Sequence, residues 1–233
     1  NIQHNMSRQI LQQILMVLSG VVLLFLAAPL ISLLVGPDIR EYTRAASDSE
    51  AINAITTTLL MAFAATLFFA VFGIPLAYLL ARKNFRFKGL IQGMIDLPVV
   101  IPHTAAGIAL LTVISPKTTI GSILESIGLS FVGTHAGIAL AMAFVSVPFL
   151  INAARQGFEM IPVSYEKTSM SLGVSPGKTF FKISLPLARQ SIINGMIMMF
   201  ARGMSEFGAV VIIAYHPITV PTLIFERFGA FGL

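Results

Sequence analysis

Long apolar stretches constrain this chain most, because a helix needs about 20 mostly apolar residues to cross the hydrocarbon core of a bilayer. Five such stretches occur, at residues 14–35, 54–81, 91–114, 137–154 and 192–214. Only 11% of the 233 residues are charged, whereas soluble domains usually carry about 25%. The sequence therefore predicts an all-α fold, a polytopic membrane helix bundle of five spans, with residues 1–233 as a single transmembrane domain.

The composition also excludes several kinds of protein. The first apolar stretch is longer than the roughly 7–15 residues of a signal-peptide core, so we expect a retained helix. Cysteine is absent, which excludes a disulfide scaffold and cysteine-ligated metal sites. No histidine cluster has metal-ligand spacing and no nucleophile has an adjacent base, so we expect no metal, no cofactor and no catalytic residue in this chain. The basic residues lie in short clusters between apolar runs, which argues against nucleic acid.

The distribution of Lys and Arg predicts the orientation, because cytoplasmic loops are enriched in both. Ten of the 15 basic residues lie in the N-terminus and the loops on the same side, four lie on the opposite side, and Arg202 lies within the last span. The N-terminus is therefore expected in the cytoplasm of a cell-membrane protein. Residues 155–191 then form a long cytoplasmic loop, and long connections are usually functional.

This long loop carries clear signals for a short helix. Pro162 and Ser164 predict a helix start with Ser164 as N-cap, residues 165–172 tolerate a helix, and Gly173 suits its left-handed C-terminal end. A turn and a second amphipathic stretch follow, which we expect to stop at Pro186. One interpretation is a helix lying in the lipid interface.

Residues 173–179 partly match the motif of a phosphate-binding loop. Gly173 and Gly177 precede Lys178 and Thr179, but three residues rather than four separate the glycines and no strand precedes them. We therefore expect no nucleotide site in this chain.

The same loop resembles the EAA loop of the permease subunits of type I ABC importers. That motif places nine residues between a glycine and Ile-x-Leu-Pro, and here nine residues separate Gly173 from Ile183, Ser184, Leu185 and Pro186. The Glu-Ala-Ala run is replaced by Lys-Thr-Ser at positions 167–169, with Glu166 one position early. Residues 73–82, 96–107 and 200–209 resemble the branch of the family that imports tetrahedral oxyanions, molybdate and tungstate permeases above all.

The resemblance implies a homodimer of this chain in the lipid bilayer, with two cytoplasmic ATPase subunits that bind ATP and Mg²⁺ and an extracytoplasmic oxyanion-binding protein. Family members usually have a sixth span where this sequence ends, so we expect a truncated sixth span. The loop would be a coupling helix seated in the ATPase, with Tyr165 and Leu172 as apolar anchors. The implied coupling residues are Tyr165, Glu166, Lys167, Met170, Ser171, Leu172, Gly173, Val174, Ser175, Pro176, Ile183, Leu185 and Pro186.

Four ionisable residues lie in or near predicted spans, where a charged side chain costs about 2.5–3.5 kcal/mol and usually faces a cavity or a partner. Arg202 and Glu206 are one helical turn apart, and two interpretations remain open: a structural ion pair, or an anion pathway. His103 follows Pro98 and Pro102, which loosen the helix, so it is a candidate gate or a packing residue. Asp96 is expected at the cytoplasmic rim near Arg86 and Lys88. The candidate pathway residues are His103, Thr104, Arg202, Ser205 and Glu206.

The sequence thus predicts a non-catalytic permease that imports molybdate or tungstate by alternating access, driven by partner ATPases. A sulfate permease of the same family is one alternative. Another is a proton-coupled secondary transporter that uses Glu206 or Asp96, and a third is a membrane receptor or assembly subunit that transports nothing.

Overall fold

The computed structural model describes residues 2–35 and 39–231, which form helices and no strand. The all-α prediction is therefore confirmed over the described ranges. In chain order the elements are α1 (Ile2–Val35), α2 (Ile39–Ser47), α3 (Ser49–Arg82), α4 (Lys88–Val100), α5 (His103–Ile114), α6 (Thr119–Ser126), α7 (His135–Glu159), α8 (Val163–Ser171), α9 (Pro176–Thr179), a π-helical turn (Phe180–Ser184), α10 (Leu185–Met204), α11 (Gly208–Ile213) and α12 (Val220–Phe231).

The chain divides into two compact units, residues 1–49 and 50–233. The first contains α1 and α2, and α1 includes a 25-residue apolar stretch, Leu11–Val35, that is long enough to cross a bilayer. The second contains the rest of the helices, including the whole of the long loop. A single transmembrane domain over residues 1–233 stays a prediction.

Among the described residues, three helices are long and apolar enough to span a membrane: Leu11–Val35, Ser49–Arg82 and His135–Glu159. A fourth span is counted if α4 and α5, which meet at a bend of 119°, are taken as one. Helix α10 covers most of the predicted fifth span but is more polar, because it includes Arg189, Gln190, Asn194 and Arg202. The count of five spans stays a prediction.

Helix α7 lies at the centre of the second unit and packs against α10 through small residues. A Cβ added to Gly157 would lie 2.4 Å from Cβ of Ser191, and one added to Gly195 would lie 2.9 Å from Cβ of Ala153. Contact without large side chains lets the two backbones approach closely, as in many membrane helix pairs. Because residues 157 and 191 meet at one end and Gly203 lies near Ser146 further along, α7 and α10 are antiparallel.

Two of the predicted spans are broken helices. Residues 91–114 were expected as one span, but α4 ends at Val100 and α5 begins at His103. Ile101 has ψ 150°, since the residue before a proline is pushed out of the helical region. Residues 192–214 are likewise interrupted, because α10 ends at Met204 and α11 begins at Gly208. Both breaks matter because they carry the candidate pathway residues.

The start of α7 is fixed by a cap and by the end of α11. The Thr134 hydroxyl accepts a hydrogen bond from the backbone N–H of Gly137 at 3.2 Å, which satisfies one of the free donors of the first turn. The backbone N–H of Gly133 donates to the carbonyl of Ile213 at 3.0 Å. The second bond holds the C-terminal end of α11 beside the start of α7.

Candidate functional site

The break between α10 and α11 carries a fully buried carboxylate. Glu206 is 1% exposed, and its Oε2 lies 3.0 Å from Nη2 of Arg202 and 3.3 Å from Nδ1 of His103. Its Oε1 accepts the backbone N–H of Ala209 at 2.9 Å. Because an unpaired buried charge is costly, these three partners are what allow Glu206 to remain in the interior.

Arg202 is shared between the acid and the imidazole. Its Nη2 lies 2.8 Å from Nε2 of His103, and its Nη1 donates to Oγ of Ser205 at 3.2 Å. A ring that donates from Nδ1 to Glu206 and accepts at Nε2 from Arg202 satisfies all three side chains. We call His103, Arg202, Ser205 and Glu206 the polar cluster.

The exposure of the polar cluster is one-sided. The side chain of Glu206 is 1% exposed, whereas those of Arg202 and His103 are 25% and 40% exposed. The acid is therefore buried behind the cation and the imidazole, and the accessible groups are the guanidinium of Arg202 and the ring of His103. The positive charge of Arg202 is thus partly exposed, while the compensating negative charge of Glu206 is buried.

Close packing of α5 on α11 builds the polar cluster. A Cβ on Gly208 would lie 2.7 Å from Cβ of His103, and one on Gly107 would lie 2.9 Å from Cα of Ala209. Only glycine fits at such distances, so these two glycines bring His103 against the chain that carries Glu206. Sequence reasoning quoted both glycines within family-like stretches but missed that they set this contact.

Thr104, the remaining candidate pathway residue, lies in the first turn of α5 and is exposed. Within the described residues its side chain makes no hydrogen bond to the polar cluster. The structure thus brings together four of the five predicted residues and leaves the fifth beside them. Their role in transport stays a prediction.

Asp96 has a different environment from the one expected. Its Oδ1 accepts a hydrogen bond from Nδ2 of Asn152 at 2.6 Å, and in the described part of the chain no ion pair joins it to Arg86 or Lys88. The two polar side chains line a cavity of about 380 Å³ between α4, α7 and α10. Asp96 therefore connects α4 to α7 rather than to the basic loop before α4.

The long loop folds as α8, α9 and the π turn, with α7 reaching Glu159 before it. The helix of the loop, α8, ends at Ser171 with Leu172 as its C-cap. Gly173 follows, as predicted, with φ +83°, a left-handed conformation that favours glycine. Exposed apolar side chains line this element: Met160, Val163, Tyr165, Met170 and Leu172. Lys167, Ser171, Ser175 and Pro176 are also exposed, while Val174, Ile183 and Leu185 are half-buried.

Two details of the predicted loop are wrong. The N-cap of α8 is Pro162, without a side-chain capping bond, and Ser164 lies inside the first turn. Pro186 does not stop a helix, because it lies in the first turn of α10. The π turn, closed by the N–H of Leu185 on the carbonyl of Phe180, changes the hydrogen-bond register just before the residue that lacks an N–H, so the helix continues.

Glu166 is, with Ser169, one of the two buried residues of α8. Its side chain is 6% exposed and its Oε1 lies 2.9 Å from Nε of Arg82. The hydroxyls of Tyr78 and Ser184 donate to Oε2 and Oε1 at 3.2 Å and 2.7 Å. Sequence reasoning included Glu166 among the loop residues but missed these three partners; the presence of Tyr78 and Arg82 in the family-like stretch 73–82 was the available signal.

Comparisons with known proteins agree with this architecture. The family described as binding-protein-dependent transport system inner membrane component matches residues 73–228. The molybdate/tungstate transport system permease protein WtpB of Methanocaldococcus jannaschii is 44% identical over 91% of this chain and 82% of its own length. A probable sulfate transport system permease of Chlorokybus atmophyticus is 36% identical over 81% of this chain and 67% of its own length.

A solved structure shares the fold. The crystal structure of a bacterial alginate ABC transporter, in complex with an alginate pentasaccharide-bound periplasmic protein, matches with a TM-score of 0.71 over 93% of this chain and 82% of the matched chain, at 18% sequence identity. That identity supports the fold alone. Together with the family match, the predicted resemblance to ABC importer permeases is confirmed. The chain belongs to the binding-protein-dependent transport system inner membrane components, as a non-catalytic membrane permease subunit of an ABC importer.

Proposed function

We propose that this permease moves a tetrahedral oxyanion, molybdate or tungstate, across the membrane by alternating access, with the polar cluster lining its pathway. Two copies of the chain would form the pathway, and two cytoplasmic ATPase subunits and an external oxyanion-binding protein would complete the importer. The observation that carries the proposal is the one-sided exposure of the cluster, in which Glu206 is buried behind Arg202 and His103. The similarity to molybdate/tungstate permeases supports the choice of substrate.

The electrostatics of the cluster suit a passing anion. A dianion leaving water needs donors or cations, and guanidinium matches oxyanion geometry with paired N–H groups. Glu206 already occupies Nη2 of Arg202 at 3.0 Å, so an anion must compete for this donor. The competition keeps binding weak, which conduction requires because the anion must also leave.

Replacing the cation tests the pathway. We expect Arg202→Gln, in the complete importer in liposomes, to lower oxyanion uptake about ten- to hundredfold, since a hydrogen bond to a charged group contributes about 1.5–3 kcal/mol. Arg155→Gln is the matched control, because Arg155 makes an i,i+4 ion pair with Glu159 at 2.9 Å and has similar exposure. Normal uptake by Arg202→Gln, with the complex assembled, would remove the pathway role.

The same liposomes separate the alternatives. Uptake that needs ATP and ignores the proton gradient supports the proposal, whereas uptake that collapses with the gradient and ignores ATP would identify a secondary transporter. Competition by sulfate as strong as that by molybdate would favour the sulfate alternative. If the chain imports oxyanion without ATPase subunits, the proposal is wrong.

Docking of α8 on the ATPase is the second part of the proposal. The apolar side chains of Tyr165 and Leu172 are 54% and 80% exposed, and they project from a short helix held by a left-handed glycine. We expect cysteines at Met170 and Ser171 to cross-link to the ATPase. Cysteine at Ser169 is the control, since this side chain is buried and hydrogen-bonded to Thr179.

The chain's lack of cysteine makes this assay clean. Cross-linking at Met170 and Ser171 but not at Ser169 supports docking and a cytoplasmic position of the loop. Reaction of these positions only with lipid-soluble probes would instead favour a helix lying in the membrane interface.

A further inference from the structure

The carboxylate of Glu166 joins parts of the chain that are far apart in sequence. Oε1 meets Nε of Arg82 at the end of α3 and the hydroxyl of Ser184 in the π turn, and Oε2 meets the hydroxyl of Tyr78. Arg82 also donates from Nη2 to the carbonyl of Ile161 at 3.2 Å. One buried ion pair therefore connects α3, the residues after α7, α8 and the π turn, and we call these groups the Glu166 clamp.

An aromatic cluster covers the clamp. The ring of Tyr78 meets those of Phe158 and Phe180 edge to face, with centroids 5.2 Å and 4.8 Å apart. Phe158 is fully buried. Apolar rings around an ion pair lower the local dielectric and strengthen its attraction, so the clamp is a stiff connection and not a solvent-screened surface pair.

Few other side chains hold α8 in place. Besides Glu166 and Ser184, the buried side chains of residues 163–184 are those of Ser169 and Thr179, and a hydrogen bond of 2.9 Å joins these two. The exposed face of α8 is left for a partner. Apart from the backbone connections to α7 and α9, Glu166 is therefore the main side-chain contact through which a force on that face reaches the membrane helices.

The clamp leads to the polar cluster along a continuous helix. Ser184 is the last residue of the π turn and has 0% exposure, and α10 runs from the next residue to Met204, past Arg202. Single π turns inside α-helices occur frequently at functional sites. Glu166 thus holds the base of the helix whose far end carries the cation of the polar cluster.

We propose that Glu166 and Arg82 are positioning residues that make α8, the end of α3 and α10 move as one body, so that displacement of α8 is transmitted to the polar cluster. This inference rests on the proposed function, in which α8 docks on the ATPase. A buried ion pair with a purely structural role can often be replaced by apolar residues of similar size without loss, and that property supplies the test.

The test is the double variant Glu166→Met with Arg82→Met, which removes both charges and keeps apolar volume. In the complete importer we expect normal assembly with the ATPase but a drop of about 5- to 150-fold in anions transported per ATP hydrolysed, the usual range of coupling between two sites. The matched control is Arg155→Met with Glu159→Met, a more exposed ion pair of the same length, 2.9 Å, which should transport normally. Unchanged transport per ATP in the Glu166/Arg82 variant overturns the proposal.

A second measurement needs no disruption of the clamp. Spin labels on exposed Lys167 in α8 and Leu187 in α10 should keep one narrow distance distribution in the nucleotide-free and ATP-bound importer, because both helices belong to one body. A distance that changes with nucleotide overturns the proposal even if the double variant fails to fold. If the unaltered importer shows no ATP-dependent oxyanion uptake, the proposed function fails instead, so the two failures are distinguishable.

Discussion

The close approach of α5 to α11 can be tested by adding one methyl group. In Gly107→Ala the new Cβ would lie 2.9 Å from Cα of Ala209 and 2.9 Å from Cβ of Ile212. Carbon atoms prefer separations of about 3.5–4.0 Å, so the two helices must separate by about 0.6–1.1 Å. Overpacking of this kind costs about 1–3 kcal/mol.

The shift also reaches the polar cluster. Nδ1 of His103 and Oε2 of Glu206 are 3.3 Å apart. Separating the two helices by a further distance of about 0.6 Å or more moves these atoms beyond hydrogen-bonding range. The contact between Arg202 and Glu206 should persist, because both residues lie on the α10 side of the contact. We therefore expect loss of the imidazole from the cluster with the ion pair retained.

The assays are thermal unfolding of the purified importer and oxyanion uptake in liposomes. A loss of about 1–3 kcal/mol corresponds to a fall of about 2–12 °C in Tm for a chain of this size, and uptake should fall with it. Gly93→Ala is the control, because it offers the same gain in helix propensity, about 1 kcal/mol, in a helix where no atom lies within 4 Å of the new Cβ. Equal stability and uptake in the two variants would refute the close packing.

Two further predictions concern the ends of helices. Gly173→Ala places an L-residue at φ +83°, which costs about 1–2 kcal/mol; it should lower Tm and weaken cross-linking of Ser171→Cys to the ATPase, whereas Gly177→Ala, in open space, should change neither. Thr134→Ala removes the N-cap of α7 and should lower the free energy of unfolding by about 1 kcal/mol in thermal or denaturant unfolding. The control is Thr56→Ala, which removes an exposed hydroxyl that bonds only a carbonyl of its own helix, α3. An equal loss of unfolding free energy in Thr56→Ala and Thr134→Ala would contradict the capping role.

Features that depend on neighbouring residues could be predicted from the sequence. The apolar stretches identify a membrane protein, because their length is set by the bilayer and by the rise of a helix. The left-handed end of α8 was predictable at Gly173, since the requirement for glycine is a property of one residue's backbone. The spacing between this glycine and the Ile-x-Leu-Pro run at residues 183–186 was enough to indicate the family.

Features that depend on which helices pack together required the tertiary structure. Glu166 meets Arg82 across 84 residues and His103 meets Arg202 across 99, and no local periodicity encodes either pair. The sequence did not reveal that the helix continues through Pro186. The π turn before this residue shifts the hydrogen-bond register just before the position that lacks an N–H. It did not place the break at residues 205–207 either, where a buried carboxylate binds the first turn of α11. The sequence thus determined the protein class and the position of the long loop, while packing decided which charges are buried and which helices they join, because burial and ion pairing are properties of contacts distant along the chain.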